Sequence, residues 1–336
     1  MTTPLYDIVG LGAALVDILM PIDEAFLNAH ELTKSHMHLI DADRAGTLQD
    51  VIEDAELVSG GSIANTCLGF SSFGGRAAFM GSVGRDRLGE FFAEDMTREG
   101  VTFTNLASQR GTLTTGRCFS FISPDGERTM CTYLGASREF GPRAVRADMV
   151  TQARLLFVEG YIWDTEERVA AADAAIRAMK AAGGKVALAV SDGWCAEKYR
   201  EIFLNYCREG LVDILFANED EIQSLVNVDT FDAAIKQSVA LAPICVHTRS
   251  DKGALILAGD QQVKVDVVPI EKLVDATGAG DLFAAGFLYG HLYGATLEQA
   301  GRLGAMAASE VISHIGARPK IKLASLCDKI GFKAAA

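Results

Sequence analysis

The sequence predicts an α/β protein, a doubly wound and mainly parallel sheet with a small discontinuous β-sheet lid. Three observations carry this expectation. After residue 140, short apolar runs alternate regularly with helical stretches, the pattern of βαβ units whose parallel sheet is covered on both faces. Between 114 and 134 two extended runs flank Ser123-Pro124-Asp125-Gly126, a hairpin with turn residues at its tip. Two glycine-rich segments each run straight into a helical pattern.

Taken in order, the first strand is 6–12. Its Gly10-x-Gly12 is not a dinucleotide fingerprint, because Leu15 stands where Gly or Ala is required and Pro21 would interrupt a crossover helix. Residues 16–21 read as extended chain, with Asp17 an acid inside an apolar run. Such an acid is either a satisfied polar residue at a strand turn or a carboxylate for substrate hydroxyls, and burial demands a partner in both cases. A short helix over 23–35, an extended piece at 37–40 and an acidic amphipathic helix over 42–57 follow. Gly60-Gly61-Ser62-Ile63-Ala64-Asn65 then opens a helix through Phe70. Gly60 and Gly61 permit close approach of a ligand, and Asn65 offers both a donor and an acceptor.

Residues 76–83 are a strand, and 81–89 turn the chain into a helix over 88–98. The hairpin strands are 115–122 and 127–134. Beyond it the strands are 155–159, 185–190, 214–217 and 244–248. Helices at 165–182, 196–209, 219–226 and 231–241 separate or follow them. Runs 255–258 and 263–268 form an antiparallel pair, and helices end near 293 and 314. Domain boundaries follow. Residues 1–15, 41–113 and 136–336 make the large domain, and 16–40 with 114–135 make the lid.

The stretch Asp275-Ala276-Thr277-Gly278-Ala279-Gly280-Asp281 opens the helix to 293. Its bare backbone at a helix N-terminus suits a phosphate or another anion, and an acid there, beside a bound phosphate, is placed to act as a base. A capped Gly-rich turn is the alternative. Asn218-Glu219-Asp220-Glu221 reads either as a helix cap with acids in the first turn or as an acid, Glu221, ordering water around Mg²⁺.

Formal net charge is −13, which argues against nucleic-acid or anionic-membrane surfaces. Seven cysteines without a CxxC read as free thiols in a reducing compartment. With no signal-like start and no apolar run of membrane-spanning length, the expectation is a cytoplasmic protein. No GxxxxGK[ST] and no GxSxG occur, and His36-x-His38 lacks an acid or Cys at ligand spacing. What remains suits phosphoryl transfer. N–H groups of Gly278, Ala279 and Gly280 would hold the phosphoryl, Asp281 would take the hydroxyl proton, and Asp17, Asn65, Gly60 and Gly61 would hold a polyol under the lid. A non-catalytic binding module has no need of the acid, and a dehydrogenase would need the fingerprint that 10–15 lacks.

These residues resemble a known family. Gly81-x-Val83-Gly84-x-Asp86-x-x-Gly89 and Asp275-x-Thr277-Gly278-Ala279-Gly280-Asp281 resemble the two signatures of the ribokinase-like (PfkB) carbohydrate kinases, and Asn218-Glu219-x-Glu221 matches the family's NxxE motif. The resemblance implies ATP- and Mg²⁺-dependent phosphorylation of a primary hydroxyl, with Asp281 as base. It assigns Asn218, Thr248, Gly253, Gly278 and Gly280 to ATP, and allows K⁺ near Asp275 and Thr277. Within the family the chain is most similar to adenosine kinases, notably bacterial ones, with sugar kinases as the alternative. By that likeness Gly60, Gly61, Ser62 and Asn65 bind ribose. Met37, Leu39, Cys118, Leu134, Ala136 and Trp194 line the nucleobase pocket, although the lid residues among them could instead pack the lid's own core. Partners implied are a nucleoside or sugar, with the protein a monomer or a homodimer.

Overall fold

The computed structural model describes residues 4–334 apart from 35, 53–54, 106–111 and 126. Its strands are β1 (Tyr6–Leu11), β2 (Leu15–Pro21), β3 (Met37–Leu39), β4 (Glu56–Gly60), β5 (Ala77–Gly81), β6 (Val101–Asn105), β7 (Gly116–Ile122), β8 (Arg128–Tyr133), β9 (Ala153–Val158), β10 (Lys185–Ala189), β11 (Ile214–Asn218), β12 (Ile244–Thr248), β13 (Ala254–Ala258) and β14 (Gln261–Val265). Among the described residues they form a nine-stranded sheet in the order β14-β13-β12-β11-β10-β9-β1-β5-β6 and a five-stranded sheet in the order β3-β8-β7-β2-β4. In the large sheet only the β12–β13 and β13–β14 pairings are antiparallel.

The parallel strands read as continuous apolar runs because helices bury both faces. One face carries helices Ser62–Ser72, Ala279–Leu292 and Leu297–Val311, the other Glu166–Ala181, Arg200–Arg208 and Glu219–Val226. The helix Ala279–Leu292 is apolar nearly all round, as a helix enclosed by neighbours must be. It meets Leu297–Val311 backbone to backbone, since a Cβ on Gly286 would lie 2.6 Å from the Leu303 carbonyl carbon. Strand order reverses between β9 and β1, so the crevice beyond their C-terminal ends is where such sheets take ligands.

The second sheet has its own small core of Ile18, Phe119, Phe121, Cys131 and Tyr133, closed by Leu27, Ala45 and Leu48. Here the chain departs from the sequence expectation. The helix expected over 42–57 spans only Ala42–Asp50, and residues 53–54 lie outside the described residues. Segment 56–60, expected in the large domain, is the strand β4 paired antiparallel with β2. It is the edge strand of the small sheet. The expected helix 196–209 is two, broken at Tyr199, and the helix expected over 23–35 ends at Ala29. Ser35, the hairpin-turn residue Gly126 and the ends 1–3 and 335–336 fall outside the described residues. β6 was not expected from the sequence. The seven cysteines are buried and unpaired, and among the described residues no helix is long and apolar enough to cross a membrane.

Candidate active site

Two helix N-termini converge on one carboxylate. Gly278 caps the helix Ala279–Leu292 at φ 80°. A side chain there would be strained and would strike Ala317, with Cβ to Cβ at 2.7 Å. Asp281, in the first turn, accepts from Ser62 Oγ at 2.7 Å and from Asn65 Nδ2 at 3.0 Å. Both donors lie in the first turn of Ser62–Ser72. Asp281 keeps some exposure to a cavity, yet desolvation raises its carboxyl against those two hydrogen bonds. Asn65 is buried, and its Oδ1 finds no hydrogen-bond partner among the described residues.

That cavity encloses about 530 Å³ beyond the ends of β9 to β12, bounded by Ser62, Asn218, Glu221, Thr248, Ala279, Gly280 and Asp281. Its size is that of a small-molecule site. A Cβ on Gly280 would project into open space, so the turn is bare on its cavity side. Helix geometry leaves the first-turn N–H groups without intrahelical acceptors; of these, Ala279 N donates to Ala276 O at 3.3 Å. Asn218 and Glu221 form a reciprocal capping box, with Glu221 N donating to Asn218 Oδ1 at 2.8 Å and Asn218 N to Glu221 Oε2 at 3.0 Å. Burial, with Asp192 and Asp220 adding repulsion, pushes Glu221 up to about 7 despite those bonds. Each carboxylate oxygen keeps a second lone pair, so Glu221 can still order a hydrated cation. Among the described residues no group of three or more His, Cys, Asp or Glu converges to cage a metal.

Gly253, expected at this cavity, is not among its walls. It turns the chain at φ 80° where a Cβ would meet Val265 O at 2.0 Å. The preceding Arg249 and Lys252 do border the cavity, both paired to Glu219. Sequence reasoning passed over this pair, although two basic residues in the turn after a parallel strand were the available signal. Ser191 also borders it, at φ 75°, with Oγ accepting from Gly160 N at 2.9 Å.

The small sheet's register assembles the other half. Asp17 pairs with Cys118, Cys118 with Thr132, and Thr132 with Leu39. Leu19, Ser120, Met130 and Met37 form the adjacent row. Side chains of paired residues share a face, so the face opposite the small core carries Asp17 beside Cys118 and the apolar Leu39, Met37 and Met130. Arg128 lies on this face too. It reaches out of the sheet to pair with Asp275. Leu134 and Ala136 follow β8, with Ala136 fully buried. Trp194 stands in the large domain after β10, half exposed, with Lys198 Nζ 4.5 Å from its ring centre.

Asp17 lies against Gly60, where an added Cβ would sit 2.3 Å from Oδ2. Desolvation pushes its carboxyl up to about 7, opposed by Arg128 and Arg318 and reinforced by Asp281 and Asp275. Gly61 adopts φ 103°, with Ala13 O occupying the place of a side chain at 2.2 Å. Behind this turn Glu159, at the end of β9, accepts from Ala13 N at 2.8 Å and Ile63 N at 3.3 Å. Gly12 is needed because its Cβ would fall 2.3 Å from Glu159 Oε2, so Gly10-x-Gly12 serves packing. In the first signature, Asp86 caps Arg87–Arg98 and accepts from Thr115 N at 2.7 Å, which ties the turn to the entry of β7.

Fold and site together define a phosphotransferase architecture, an acid at a bare helix N-terminus beneath a small sheet. Residues 23–323 match the pfkB family carbohydrate kinase model, and the chain belongs to that family of alcohol phosphotransferases. A structure described as a probable sugar kinase from Rhizobium etli superposes with TM-score 0.91 at 40% identity, covering 98% of this chain and 99% of the other. The adenosine kinase structure from Sinorhizobium meliloti gives 0.89 at 40%, covering 97% and 99%. Adenosine kinase 1 of Arabidopsis thaliana is 26% identical over 92% of this chain and 94% of its own length.

Proposed function

We propose that the chain is an adenosine kinase, transferring the γ-phosphoryl of ATP to the 5′-hydroxyl of adenosine to give AMP and ADP. The observation that carries this reading is the row Asp17–Cys118–Thr132–Leu39, flanked by Met37 and Met130. A carboxylate beside an apolar strip suits a molecule with vicinal hydroxyls at one end and a flat apolar ring at the other. Asp17 and the free Asn65 Oδ1 accept the ribose hydroxyl protons. Asp281 takes the 5′-hydroxyl proton as the oxygen attacks phosphorus, and the first-turn N–H groups with the helix dipole stabilise the charge on the moving phosphoryl. Arg249 and Lys252 supply positive charge at the cavity edge for a nucleotide's phosphates, against the protein's overall field. Glu221 would order the water shell of a Mg²⁺ ion brought with the nucleotide, which would neutralise phosphate charge.

The likeness to the Sinorhizobium meliloti adenosine kinase supports the acceptor, and that to the Rhizobium etli protein supports a second reading, a sugar kinase. A coupled assay with ATP and Mg²⁺ across nucleosides and sugars separates them. Turnover of adenosine at the highest kcat/KM is the expected result. Turnover of ribose, fructose or 2-keto-3-deoxygluconate with none of adenosine would establish the second reading instead.

A further inference from the structure

The buried carboxylate of Asp275 precedes the anion-binding turn, and among the described residues its oxygens accept from three donors. Oδ1 accepts from Thr277 N at 3.0 Å, and Oδ2 accepts from Gly316 N at 2.8 Å. The guanidinium of Arg128, its side chain 9% exposed, closes on the same Oδ2. The family resemblance allows a monovalent cation near Asp275 and Thr277. A hard cation needs oxygen lone pairs aimed at it. Here the acid is ringed by two N–H dipoles and a full positive charge, so an added cation would meet repulsion from Arg128 and find the near oxygen already engaged. The residues present do not fit a cation held by this carboxylate.

A buried carboxylate still needs countercharge. Arginine supplies one, here through Nη2. Arg128 also comes from the small sheet, whereas Asp275 and the turn it braces lead into the helix Ala279–Leu292, which packs on the large sheet. Loop 275–281 therefore takes its countercharge from the lid strand β8 instead of from solution.

We propose that Arg128 is the resident cation of the Asp275 loop, a positioning residue that braces the Thr277–Asp281 turn from the lid and makes the protein independent of K⁺ and other monovalent cations. The turnover arm of the test rests on the kinase reading; the melting arm does not. Melting temperature and turnover of the protein would be compared in KCl, NaCl and tetramethylammonium chloride at matched ionic strength. Equal values in all three are expected, and a K⁺-specific rise in melting temperature or a severalfold K⁺ activation of the unmodified protein would overturn the proposal. Arg128→Met removes the charge and keeps the length. It should lose turnover in tetramethylammonium, recover part of it in K⁺, and gain a K⁺-specific rise in melting temperature. Indifference of a folded Arg128→Met to every cation would also overturn it. Should that variant not fold, Arg128→Lys decides: retained cation independence supports the proposal, and acquired K⁺ dependence with the ammonium in place refutes it. Absence of turnover with every acceptor would count against the functional reading alone, and the melting comparison would still decide the role of Arg128.

Discussion

Ser62 and Asp281 stand 219 positions apart in the chain and meet through a 2.7 Å hydrogen bond at the point where two helix N-termini converge. Asn65, one turn further along the first helix, holds the other oxygen at 3.0 Å. Both helix dipoles favour a negative charge there, while desolvation opposes it and raises the carboxyl above its ordinary value. The acid is thus fixed in direction and kept more basic than a surface aspartate, the combination a proton acceptor needs.

Asp281→Asn keeps the shape and removes the proton acceptor. Turnover should fall by roughly 10²–10⁴-fold, the ordinary contribution of general base catalysis, with ATP affinity little changed. Single-turnover kinetics with a nucleotide-binding titration would check both, and an undiminished rate would refute the assigned role.

Asp17→Ala should act on the acceptor. A hydrogen bond to a charged group contributes about 1.5–3 kcal/mol, so KM for the acceptor should rise by roughly ten- to a hundredfold, with KM for ATP nearly constant. A variant changing only ATP affinity would show that the two substrate sites have been divided wrongly.

Much of this site was legible in the chain because it is local. Gly278 to Asp281 specify a bare helix start within four residues, and Asp17 stands out as an acid in an apolar run. Glu221 was legible only as two alternatives, and the capping box with Asn218 is geometrically present while the acid still borders the cavity. What was hidden depends on register and on contacts far apart in sequence. Met37, Leu39 and Cys118 share a face with Asp17 only because β3, β8, β7 and β2 pair in that order. Nothing near Arg128 or Glu159 announces that one reaches Asp275 and the other caps Ile63. β4 was misread for the same reason, since its pairing with β2 overrides a local amphipathic pattern.

Gly60→Ala tests the packing of the acceptor side. The added carbon would lie 2.3 Å from Asp17 Oδ2, so the carboxylate must swing aside. Acceptor KM should rise about as far as in Asp17→Ala, and the double variant Gly60→Ala/Asp17→Ala should be no worse than Asp17→Ala, because neighbours in contact are not additive. Full additivity in a double-mutant cycle would show that Gly60 acts by another route.

Glu159 links pH to stability and to turnover. It is 1% exposed, and burial pushes its carboxyl up to about 7 even though Ala13 N and Ile63 N donate to it. For a carboxyl raised in the fold, the stability it contributes is complete below its unfolded value of about 4.3 and is lost as pH climbs through the folded one. Asp17 and Glu221, both pushed up to about 7, act in the same direction. Asp7, held down at about 2 by Arg76 and Tyr293, acts oppositely, and its contribution is lost only as pH falls below about 4. Glu159→Gln imitates the protonated acid at every pH. Its melting temperature should match that of the unmodified protein near pH 4.5 and exceed it above pH 7. The ionised form accepts both N–H groups at once and so fixes the first turn that carries Ser62 and Asn65. The glutamine, which must leave one N–H without an acceptor, should therefore lower kcat more than it changes either KM. Melting curves across that pH range with steady-state kinetics at pH 8 would check both halves. A melting difference that stays constant with pH would show that Glu159 does not titrate in this window.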